Sequence, residues 1–172
     1  MNGLVIRAKR LRAAAVVAFA GLIAVSGCAT VPNEPTNPDR VGAVVVVGGG
    51  AENGGWRAWL YRTRTADLCV EVHGTAGGGY RCGQGEDALQ GPGIVVTEKG
   101  TYVIGGSRVA AAMEARLDDA DGSHATASLV AADPVAAGLR VYILAAPPSA
   151  HPQSVEVLDA AGTVIASDAV RE

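Results

Sequence analysis

Three histidines, a serine in a glycine-rich turn and two acidic or glycine-rich runs are the residues with types and spacing that suggest chemistry. His73, His124 and His151 fall near turns or strand ends, with Asp67, Asp133 and Asp159 as acids available to orient an imidazole. No two of them stand at metal-ligand spacing for a strand or a helix. Ser107, in Gly-Gly-Ser-Arg-Val, lacks the glycine two places later that a nucleophile elbow uses. Asp118-Asp119-Ala120-Asp121-Gly122 opens like a calcium loop, but Val130 stands near where the bidentate glutamate belongs, counting from Asp119. Val44–Val47 followed by Gly48-Gly49-Gly50 has the outline of a dinucleotide turn. It has Asn53 in the third fingerprint position, however, and continues through Gly54-Gly55-Trp56 into a strand. These residues predict no catalytic group, no metal site and no cofactor.

A binding role has better material. Trp56, Trp59 and Tyr61 with Arg57, Arg62 and Arg64 form the densest aromatic and basic cluster. On a strand, Trp56 and Leu60 face one way while Trp59 and Tyr61 face the other, so both faces carry bulk. One face belongs to the core. The second is either another packed layer or a patch where Trp59 or Tyr61 stacks on a glycan and the arginines pair with carboxylate or phosphate.

Register gives Cys69 and Cys82 a partner in each other. A two-residue turn at Thr75-Ala76 sets Gly74 opposite Gly77, Glu71 opposite Tyr80 and Cys69 opposite Cys82. An even pair of cysteines in an exported chain then predicts a cross-strand disulfide.

Export is read from the first 27 residues. Arg7, Lys9, Arg10 and Arg12 precede an uncharged run from Ala13 to Val25, which is a basic n-region and an apolar h-region. The run is about 20 Å long as a helix, short of a bilayer core of about 30 Å. It ends Val25-Ser26-Gly27-Cys28, which resembles the lipobox of bacterial lipoproteins. That resemblance implies cleavage before Cys28, thioether lipidation of its thiol and an added N-acyl chain, such as palmitate. Two or more chains make a stable membrane anchor. Cleavage also removes four bases from 14, leaving 10 against 17 acids, so the charge of −3 becomes −7. A surface of that sign excludes general affinity for nucleic acid and is repelled by anionic lipid headgroups.

Elements to position these groups follow from the rest of the 172 residues. Residues 28–40, with Pro32, Pro35 and Pro38 at three-residue spacing, predict an extended tether. Residues 41–172 break every eight to twelve residues at glycine or proline turns. Short β-branched segments lie between the breaks: Val44–Val47, Trp56–Tyr61, Leu68–Val72, Ile94–Thr97, Tyr102–Ile104, Leu139–Leu144, Val155–Leu158 and Thr163–Ile165. The pattern predicts one all-β domain, an antiparallel β-sandwich of immunoglobulin-like type. Ser107–Asp119 has helix formers but also alternates, and its neighbours favour a strand facing Val109, Ala111, Met113, Ala115 and Leu117 to the core.

From Trp56 to Gly83, and again at Gly100–Gly105, Asp121-Gly122 and Val155–Gly162, the chain resembles secreted and lipid-anchored sandwich proteins of GC-rich Gram-positive bacteria. The resemblance implies no established reaction. The expectation is a non-enzymatic, lipid-anchored module on the outer face of the cytoplasmic membrane that binds an envelope protein or glycan. An envelope hydrolase or carbohydrate-active enzyme, and a carrier of a small apolar ligand, are the alternatives.

Overall fold

A computed structural model describes residues 31–170 except 76, 86 and 99; the leader and Cys28 lie outside the described residues. Among the described residues the regular structure is β-strand, apart from one 3₁₀ turn at Glu52–Gly54. The first sheet is a meander of β1 (Arg40–Gly50), β2 (Trp56–Thr63), β3 (Leu68–Gly74) and β4 (Gly77–Gly83), hydrogen-bonded in that order. The second contains β5 (Gly93–Thr97), β6 (Gly100–Ser107), β9 (Val130–Ala131) and β10 (Arg140–Ala146), in the order β5-β6-β10-β9. In the third, β7 (Glu114–Asp119), β8 (His124–Ser128), β11 (Pro152–Leu158) and β12 (Val164–Ala169) run β12-β11-β7-β8. Pairing within each sheet is antiparallel.

An immunoglobulin-like sandwich has two sheets; this chain makes three, and the reason lies in β6 and β10. Their side chains are apolar on both faces, so neither face can be left to water. Tyr102, Ile104, Val141 and Ile143 pack with Trp56, Ala58, Leu60, Val70 and Val72 of the first sheet. Val103, Tyr142 and Leu144, on the opposite face, pack with Ala115, Leu117, Val155 and Val157 of the third. The second sheet is therefore the middle layer, and every residue of β6 is buried.

Two local expectations need correction. β1 runs on through Gly48–Gly50 instead of breaking there, and at Gly48 the glycine leaves room for the Trp56 indole and Ile143, which lie where a side chain would go. Residues 108–113 form a turn instead of a strand, with Val109 and Met113 exposed. The strand begins at Glu114, and of the five positions expected to face the core only Ala115 and Leu117 do. The β3–β4 hairpin has the expected register throughout, Gly74 opposite Gly77 to Cys69 opposite Cys82. It is closed by the Cys69–Cys82 disulfide.

Candidate functional site

The outer face of the first sheet carries the site. Strand alternation puts Trp59 and Tyr61 of β2 on this face beside Cys69 and Glu71 of β3, opposite the side that packs on the second sheet. All four side chains are buried, because residues 31–39 fold back over them. Val31 and Val44 pack on Trp59, Tyr61 and Cys69, and Pro35 is buried as well. The proline-spaced segment thus lies as a strap along the sheet over residues 31–39. Asn33 accepts a hydrogen bond from Arg57 at 3.3 Å, and Glu34 pairs with Arg40 at 2.9 Å.

Glu71 holds the strap down. Its Oε1 accepts the backbone N–H and the hydroxyl of Thr36, both at 2.7 Å. His73 Nε2 lies 2.7 Å from the same oxygen and donates to it. Its Oε2 accepts the Tyr61 hydroxyl at 2.7 Å and the Asn37 N–H at 3.4 Å. Burial by itself would raise the pKa of this carboxyl, but the bonds from Tyr61, Thr36 and His73 outweigh it and hold the value at about 2. The Tyr61 phenol is pushed far above its ordinary value by burial first and by Glu71 second. A carboxylate so acidic, with both oxygens occupied, makes a poor general base; it works as a fixed anion that gathers donors.

Beside this network a groove of about 450 Å³ opens between strap residues 36–39 and β4. His73 and Glu71 line its floor and Tyr80 its wall. Tyr80, opposite Glu71 in the ladder, is 66% exposed. The His73 ring meets Trp59 edge-on and covers Gly78, where a Cβ would come within 2.5 Å of Nδ1.

The six residues of the aromatic and basic cluster are not brought together as one patch. Trp59 and Tyr61 have no open face for a ligand. Arg57 meets the strap, Arg64 is 3.9 Å from Asp39, and Arg62 reaches the carbonyls of Val135 and Ala66. Nor do the histidines meet the aspartates first considered for them. His73 pairs with Glu71 and His124 with Asp118 at 2.8 Å, while at His151 it is the backbone N–H that donates to Asp119. Asp119 also accepts the Ala120 N–H and Asp121 the Ser123 N–H, which makes the acidic run a self-capped turn. Among the described residues no group of three or more His, Cys, Asp or Glu is placed to hold a metal ion.

Glu71, His73 and Tyr80 are the site residues that the cluster reading passes over. The signal was a glutamate inside the apolar run Leu68-Cys69-Val70-Glu71-Val72, on the same strand face as Cys69. The chain matches no protein-family model, no curated protein and no solved structure.

Proposed function

We propose that this chain is a lipid-anchored, non-catalytic binding module of the cell envelope that presents the Tyr80 groove to a glycan. The observation that carries the reading is the pairing of an exposed aromatic wall, Tyr80, with a rigid polar floor built on Glu71 and His73. Sugars are bound by ring stacking combined with hydrogen-bonding groups held in place; Tyr80 offers the ring, and the strap that Glu71 pins down offers the groups. Asn37 and Asp39, on the strap side, add polar groups to the rim. The body is read as an immunoglobulin-like sandwich of the first and second sheets, with the third added behind.

The anchor rests on Val25-Ser26-Gly27-Cys28 and places the module on the outer face of the cytoplasmic membrane. With the strap packed from Val31 onward, only residues 28–30 separate the lipid from the folded body, a span of about 10 Å when extended. The groove would then work close to the bilayer, on ligands of the innermost wall.

Titration of the purified protein with soluble cell-wall glycan fragments, followed by tyrosine ring resonances, tests the reading. Saturable binding that Tyr80→Ala weakens at least tenfold is expected. No binding, or binding that Tyr80→Ala leaves unchanged, would contradict it.

A further inference from the structure

Arg81 brings a cation into the body without an anion to meet it. On β4 it lies opposite Val70 on the inner side of the first sheet, half-buried. No carboxylate among the described residues is within ion-pair distance of it. Its Nη1 donates to two neutral acceptors, the carbonyls of Gly91 at 2.9 Å and Ile104 at 2.6 Å. The Nε and Nη2 edge has no acceptor among the described residues. Removing a guanidinium from water is costly unless an opposite charge is close, and carbonyl dipoles offset part of that cost only. Burial accordingly lowers the pKa of Arg81, with Tyr142 acting in the other direction.

The open edge is the side on which a guanidinium binds a carboxylate or phosphate through two parallel N–H···O bonds. Gly93 keeps room for the flat group: a Cβ there would come within 2.6 Å of Nε and 2.8 Å of Cζ. Arg81 lines a groove of about 640 Å³, with the Gly91-Pro92-Gly93 turn on one side and Asp168 of β12 on the other. A second donor is near. Tyr142, which lines the adjoining groove, has a hydroxyl with no hydrogen-bond partner among the described residues, and burial raises its pKa.

We infer that the Arg81 groove is a binding site for a small oxyanion, a carboxylate or phosphate group, distinct from the Tyr80 groove and independent of the anchor. Arg81 supplies the fork and positive charge. Asp168 opposes the anion from across the groove and sets the affinity lower than the arginine alone would give.

Titration of the purified full chain with inorganic phosphate and, separately, with acetate, at constant ionic strength, tests this by calorimetry. Saturation by acetate alone identifies a carboxylate site and by phosphate alone a phosphate site, and either supports the inference. Arg81→Gln is expected to weaken binding at least tenfold. Asp168→Asn, at an exposed position, is expected to tighten it several-fold, and decides the matter should Arg81→Gln fail to fold. The absence of saturable binding by both anions, or binding that Asp168→Asn leaves unchanged, would overturn it.

Discussion

The Tyr61 hydroxyl donates to Glu71 Oε2 across 2.7 Å, between two side chains that are both buried. That bond joins β2 to β3 and prepares the carboxylate to receive the strap from above. Replacing Tyr61 with Phe keeps the ring in its packing and removes only the donor. A hydrogen bond to a charged group is worth about 1.5–3 kcal/mol, so Tyr61→Phe should destabilise the fold by that amount in urea denaturation. A loss below about 0.5 kcal/mol would show that Glu71 is satisfied without it.

The same carboxylate predicts how stability varies in acid. Folding lowers the Glu71 pKa from its ordinary 4.5 to about 2. A depressed carboxyl contributes stability that is complete above the unfolded value and is lost as pH falls toward the folded one. Stability should therefore decline from about pH 5 to about pH 2. Glu71→Gln should be less stable than the native chain at pH 7, with the gap closing across that window. A gap that stays constant down to pH 2 would remove Glu71 from the account.

Much of this arrangement was legible in the chain, and the remainder was not, for a physical reason in each case. A connection of two residues between Gly74 and Gly77, combined with two-residue periodicity, sets Cys69 opposite Cys82, since a one-residue slip would turn every side chain to the wrong face. Strand existence followed from β-branched runs. The number of sheets did not, because short apolar segments such as Tyr102–Ile104 read alike whether one face or both are covered. The strap was hidden for a different reason. Proline spacing reports an extended backbone, and an extended backbone serves equally as a free tether or as a segment laid on a sheet. What decides between them is the anchor at Glu71, thirty-five residues away from Thr36 in sequence.

The disulfide closes a loop between positions 13 residues apart, and its Cys69 end belongs to the buried cluster with Trp59 and Tyr61. Restricting the unfolded chain over a loop of this size is worth roughly 3 kcal/mol. The double variant Cys69→Ala with Cys82→Ala should lose about that much, with the cavity left at buried Cys69 adding to the loss. Chemical denaturation of the native and double-variant chains measures it. Equal stability of the two would mean that the hairpin is held by packing alone.

Residue 28 carries the claim on which the proposed role depends. The mass of the mature protein, extracted from the membrane fraction of its host, tests it most directly. The account predicts a chain that begins at Cys28 and carries a diacylglyceryl group with an added acyl chain. A chain that retains residues 1–27, or one that begins at Cys28 with the thiol unmodified, would contradict it.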